Sequence, residues 1–182
     1  MWLWYASRAT GLISLVLLTA VVLLGIGGVS RLDAAAFPRF AVARLHRNLS
    51  LLVVAFLAVH IPTAVLDGYV DIRWLDVVLP FAGTYQPFWL GLGAVALDLL
   101  VALVVTSLLR VRLGLRAWRA VHWAAYVCWP VAVAHGFGIG GKDSTTGWVL
   151  ALTIGCVAAV GLALVGRAVA VGRRTPTPAG PR

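Results

Sequence analysis

The chain has 182 residues, of which 62% are hydrophobic and 12% charged, and it contains no Glu. A soluble domain of this length carries roughly twice that share of charge, so the composition excludes an ordinary soluble fold and indicates an integral membrane protein. The net charge is +9, yet 12 of the 15 basic residues fall in three segments, 31–47, 110–119 and 167–182. Such one-sided arginine is a topology signal for the cytoplasmic face, and a nucleic-acid partner is not expected.

Charges bracket the membrane spans. Uncharged stretches run over 9–30, 48–66, 120–141 and 144–166, and 88–109 is interrupted only by Asp98. A helix needs about 20 residues to cross the hydrocarbon core. The reading is an all-α integral membrane protein, a bundle of five transmembrane helices at about 9–30, 46–66, 88–109, 119–138 and 146–168. The base-poor loops 67–87 and 142–143 then face outward, which puts the N-terminus out and the C-terminus in. The expected location is the cell membrane, as a multi-pass protein.

In chain order, Ala34-Ala35-Ala36 resembles a cleavage site. The apolar stretch before it exceeds the ~7–15 residues of a signal-peptide core, so the first helix is read as permanent. FPRFAVARL at 37–45 is a candidate short interfacial helix before the second span. The loop 67–87, with Trp74, Phe81 and Tyr85, suits the headgroup region, and Pro87 suits the first turn of the third helix. Thr106 and Ser107 are expected to bond back to their own helix. Cys128 and Cys156, with no CxxC spacing, read as small apolar residues. Residues 1–172 form one domain, and the Pro-rich stretch 173–182 is expected to be a disordered cytoplasmic tail.

Chemistry is concentrated in four histidines, His46, His60, His122 and His135. A histidine at bilayer depth is costly and marks a functional site. His46 and His60 are 14 residues apart, about 21 Å along a helix and within about 40° of one face. The second and fourth helices run in the same direction, so His46 lies level with His122 and His60 with His135. Cross-helix pairs at matched depth suit two irons, each with two axial imidazoles. The 13-residue spacing of His122 and His135 is less regular. An ideal helix would turn them roughly 140° apart, so a kink or rewinding near Pro130 is expected. The alternative for each histidine is a helix–helix or interfacial hydrogen bond.

These spacings, together with RLHRNLSLL, ALDLLVALVVTSLLR and WRAVHWAAYVCWPVAVAHG, resemble the ferric reductase-like transmembrane domain over about residues 9–165. That family includes ferric reductases, the membrane half of NADPH oxidases and the haem subunit of periplasmic methionine sulfoxide reductase. The resemblance implies two b-type haems, the inner held by His46 and His122, the outer by His60 and His135, and transmembrane electron transfer. The implied donor is a cytoplasmic flavoprotein reductase or a membrane quinol. The implied acceptor is a ferric chelate, oxygen or an external redox protein. Many relatives continue into a flavin and NADPH domain, whereas this sequence ends at Arg182, so nicotinamide oxidation is expected to belong to another protein.

Around the inner pair, Arg44, Arg47 and Arg119 are candidates for haem propionates, with topogenic charge as their other reading. At the outer pair Arg73 or Lys142 is the candidate base. Trp129 falls on the helical face of His122 and Tyr126, between the two levels, and reads as packing or as a relay. Asp98 is expected neutral or paired, as an imidazole partner or a proton carrier near a quinol. No catalytic nucleophile–base pair is present, and GIGG at 25–28 and GFGIGG at 136–141 lie in apolar helices, which excludes a Rossmann loop. Two other functions stay open: a quinol-linked haem subunit of an extracytoplasmic oxidoreductase, and a non-redox transporter or assembly subunit.

Overall fold

A computed structural model describes residues 2–30 and 38–172. Within them lie seven α-helices and one 3₁₀ turn, with no strand: α1 Trp2–Ser30, α2 Arg39–Val65, α3 Trp74–Val78, α4 Pro87–Leu108, α5 Arg110–His122, α6 Ala125–Ile139, the 3₁₀ turn Gly141–Thr145 and α7 Gly147–Gly172. Four of them, α1, α2, α4 and α7, are long and apolar enough to cross a membrane, while α6 is apolar but shorter. With an apolar surface this extensive, the chain is a membrane protein. Lipid-facing side chains such as Leu51, Val101 and Leu162 are left exposed, as a helix bundle in hydrocarbon requires.

Four expected spans match α1, α2, α4 and α7. The fifth, 119–138, is divided at Trp123–Ala124 between the end of α5 and α6. Both residues keep right-handed helical backbone, and the division is a local tightening. Ala124 N–H donates to Val121 O, Tyr126 N–H to Trp123 O and Val127 N–H to Ala124 O, all i→i+3 bonds. Each residue in such a turn rotates about 120° instead of about 100°. Three or four of them remove about half of the ~140° offset between His122 and His135. Rewinding therefore occurs ahead of Pro130, which sits inside α6. Upstream, Gly114 at φ 77° breaks α5, where an L side chain would be strained. The segment carrying Arg110, Arg112, Arg116 and Arg119 remains exposed.

The expected separate helix at 37–45 is not seen. From Arg39 onward the chain is one helix with α2, since nothing between Arg39 and Val65 breaks it except Pro62, in its last turn. Residues 31–37, with Ala34–Ala36, and the tail 173–182 lie outside the described residues. Pro87 does open α4.

Helix packing forms two couples. α1 packs along α2, α4 packs along α6, and α1 also touches α6 and α7. The buried core lies where these meet: Val22 and Ile26 of α1, Trp129 of α6, and Cys156 and Val160 of α7. Lipid is as apolar as these side chains, so close backbone approach and hydrogen bonds must hold the helices together. α2 has its extensive contact with α1 alone, and its one buried residue is Val53, 1% exposed, midway between His46 and His60.

Candidate functional site

The sequence pairs the histidines by depth, and the structure brings the rings of His46 and His122 together. The rings of His46 and His122 have centroids 6.3 Å apart, inclined at 53°. His60 and His135 lie toward the opposite end of the bundle, against Ser7 of α1 and Trp89 of α4. Among the described residues no cluster of three or more metal-ligating side chains exists, so the histidines occur as twos.

Three of the four rings are held by the same small device. His46 Nδ1 is 3.1 Å from Val21 O, His60 Nδ1 is 2.8 Å from Ser7 O, and His135 Nδ1 is 2.8 Å from Trp89 O. A carbonyl only accepts, so each Nδ1 carries the proton and each Nε2 keeps its lone pair. The ring then lies over the residue four positions further along the accepting helix, which in every case is glycine: Gly25, Gly11 and Gly93. A helical carbonyl points toward that position, where at Gly93 and Gly11 a side chain would stand in the ring's way. A Cβ on Gly93 would come within 2.5 Å of His135 Cε1, one on Gly11 within 2.9 Å of His60 Cε1, and one on Gly25 no nearer than 3.8 Å to His46 Cε1. The glycines in α1 are 14 residues apart, as are His46 and His60 in α2, so one antiparallel helix pair makes the device twice.

His122 differs. Its Nδ1 is shielded and has no hydrogen-bond partner among the described residues. Its ring is stacked on Trp118, 4.9 Å between centroids and 29° between planes. The indole N–H of Trp118 donates to Ser107 Oγ at 3.2 Å. The expectation that Ser107 serves only its own helix is thereby corrected, while Thr106 does bond back, to Ala102 O at 2.6 Å.

The charged residues are placed less simply. Arg44, Arg47 and Arg119 are exposed at the His46–His122 end and form no ion pair among the described residues. Arg73 is committed elsewhere: its guanidinium meets Asp76 at 2.7 Å and its backbone N–H donates to the same carboxylate at 3.0 Å. Asp76 is 2% exposed, and these bonds hold its carboxyl below the usual carboxylate range. Arg73 is therefore no free base for an outer ligand, and Lys142 is exposed. The sequence reading missed Arg8, which sits beside His60, bonds Gly140 O at 2.8 Å and Asp143 at 2.9 Å, and lies over Trp4. It missed Arg167 as well, one of whose guanidinium nitrogens is buried without a partner among the described residues. The signals were present, since Arg8 and Asp143 are opposite charges at matching ends of their helices. Asp98 is exposed and serves no imidazole, because a main-chain oxygen takes that place at His135.

Trp129 is a buried packing residue of the α1–α6–α7 core, its indole N–H donating to Thr19 Oγ1 at 3.0 Å. Cys128 and Cys156 are free and buried. Between α1 and α7 runs a groove of about 360 Å³ lined by Leu12, Val16, Trp148 and Leu152 among others, with no polar side chain, a surface suited to an acyl chain.

A haem held by two histidines needs two imidazole nitrogens with lone pairs facing one another. With metal–nitrogen distances of about 2 Å, as for imidazole ligands generally, the ring centroids of such a pair stand about 6 Å apart. The His46–His122 spacing fits this. So do three Nε2 atoms freed by carbonyl bonding of Nδ1, the arrangement that orients metal-bound histidine.

The family described as "Ferric reductase like transmembrane component" matches residues 9–133, a stretch that contains His46, His60 and His122 and stops two residues before His135. No curated protein and no solved structure matches the chain.

Proposed function

Since the chain belongs to the ferric reductase-like transmembrane family, we propose that it carries electrons across a membrane through two b-type haems. Each is held by one histidine of α2 and one of the α5–α6 arm. The observation that carries this reading is the repeated device in which Nδ1–H is spent on a main-chain carbonyl and the ring is seated on glycine, which leaves Nε2 as the metal donor. When bound, a haem supplies a one-electron iron centre. Held by a histidine from each side, it would favour electron transfer to an external acceptor over binding of that acceptor at the metal.

The protein's own work is orientation and insulation. α1 fixes both rings of α2, and α4 fixes His135. The 115–139 arm is long enough, at about 37 Å, to act as the fifth span. The cytoplasmic end is then the His46–His122 end, where Arg44, Arg47 and Arg119 stand exposed. Arg44, Arg47 and Arg119 suit haem propionates, and their positive field favours an anionic donor such as a reduced flavoprotein. On the external side His60 and His135 would hold the haem from which a ferric chelate, oxygen or a redox protein would be reduced.

The test uses proteoliposomes with ferricyanide trapped inside and a membrane-impermeant reductant outside. The reading expects ferricyanide to bleach with the wild type and to remain oxidised with His46→Ala or His135→Ala. Equal bleaching by all three would contradict it.

A further inference from the structure

The three carbonyl–glycine seats predict where a fourth belongs. In α1 the two seats, Ser7 with Gly11 and Val21 with Gly25, are 14 residues apart. The same step along α4 from the seat at Trp89 and Gly93 arrives at Leu103 and Ser107. The seat is not available there. The Thr106 hydroxyl donates to Leu103 O, and the residue four positions further on is serine instead of glycine. His122 has accordingly left its Nδ1 without a partner among the described residues. Ser107 instead accepts the indole N–H of Trp118, and the indole face lies against the His122 ring. Trp118 is four residues before His122, one turn away on the same helix face.

We infer that Trp118, anchored by Ser107, is the positioning residue for His122, supplying by ring stacking the orientation that a backbone carbonyl gives the other three histidines. The inference rests on the haem reading above. A flat indole restrains the tilt of the imidazole and leaves its rotation in plane less restrained than a hydrogen bond would. His122 is thus the ligand whose hold depends on a single side chain, and its loosening would open one axial position without disturbing the seat of His46.

Carbon monoxide reports this directly, because a reduced haem with two firm imidazoles has no vacancy for it. Full-length protein, loaded with haem in detergent, is reduced and its carbon monoxide difference spectrum recorded, with electron paramagnetic resonance of the oxidised form. The wild type should be silent. Trp118→Leu should bind carbon monoxide at one haem of two, about half of the total, with the second haem's resonance unchanged. Trp118→Phe, which keeps a face but no N–H, and Ser107→Ala, which removes the anchor, should each bind less. Combining them should add nothing, since both delete one hydrogen bond. Silence of Trp118→Leu with unaltered resonances would overturn the inference. If that variant loses both haems through misfolding, the two milder variants decide, and silence of both overturns it equally. A wild type without haem would remove the reading beneath it, an outcome visible before any variant is compared.

Discussion

At the His60–His135 end both imidazoles donate to main-chain oxygens at 2.8 Å and rest on glycine. Arg8 also ties α1 to Gly140 and Asp143, beyond the end of α6. At the His46–His122 end only His46 is seated in this way, over a glycine with more room, and its partner leans on an indole. The difference is between two ways of holding an imidazole inside a membrane protein. Main-chain carbonyls give direction and tautomer at once, and at the two tightest seats, Gly11 and Gly93, the ring leaves no room for a side chain beside them. An aromatic side chain gives direction without a hydrogen bond to the imidazole, here beside a serine where the other three rings have glycine.

The sharpest break in that comparison comes from adding one methyl group at each glycine seat. Gly93→Ala would push a carbon to within 2.5 Å of the His135 ring and should cut haem content by about half. Gly11→Ala, at 2.9 Å from His60, should lower occupancy of the same haem by less. Gly25→Ala, at 3.8 Å, is in ordinary contact and should leave the haemochrome stoichiometry unchanged. Equal losses in all three would show that the glycines serve helix packing generally and not the rings.

Thr19→Val tests the core that both ends share. It strands the buried indole N–H of Trp129, and leaving a buried donor unpaired costs about 1–3 kcal/mol. The thermal unfolding midpoint in detergent should fall correspondingly, with both haems retained. An unshifted midpoint would mean that the indole finds another partner.

The loop outside the bundle offers a pH test. Asp76 is held below its ordinary range by the Arg73 side-chain hydrogen bond first and the Arg73 backbone N–H next. Its folded value therefore lies below its unfolded one. The stabilisation is complete above about pH 4 and is lost as pH falls through the lower folded value. Limited proteolysis of 67–86 should show protection at neutral pH and at about pH 4, then cleavage at more acid pH, while Asp76→Asn should be cleaved throughout. Matching profiles for the two proteins would refute the role of this pair.

The smallest effect belongs to Asp143→Asn. Its bond to Arg8 is partly exposed on both sides, and such pairs contribute about 0.2–1 kcal/mol. Arg8 also keeps Gly140 O. Unfolding should move only slightly, and a large drop would mean that the His60–His135 end depends on this clasp.

Much of this was legible in the residues themselves. Two histidines 14 apart must share a helix face, and direction alone then matches His46 to His122 and His60 to His135. The seats were harder to read, because glycine is common in membrane helices and only the pairing of α1 with α2 reveals that Gly11 and Gly25 repeat the histidine spacing. The tightened turn at 123–126 has no proline or glycine to announce it, so Pro130 attracted the expectation of a kink. Asp98 was read as neutral or paired because a carboxylate in hydrocarbon is costly, with an imidazole as one candidate partner, yet helix phase leaves it exposed. Arg8 looked like the edge of a span until Asp143 was found opposite it.

The most direct test of the central claim is the haem-to-protein ratio, by pyridine haemochrome and reduced-minus-oxidised spectra, across the histidine variants. The account predicts two b-type haems per chain. His46→Ala and His122→Ala should lose one and the same spectral component, and His60→Ala and His135→Ala the other, with Gly93→Ala reproducing the second pattern. A wild type without haem, or variants whose losses do not fall into those two pairs, would contradict it.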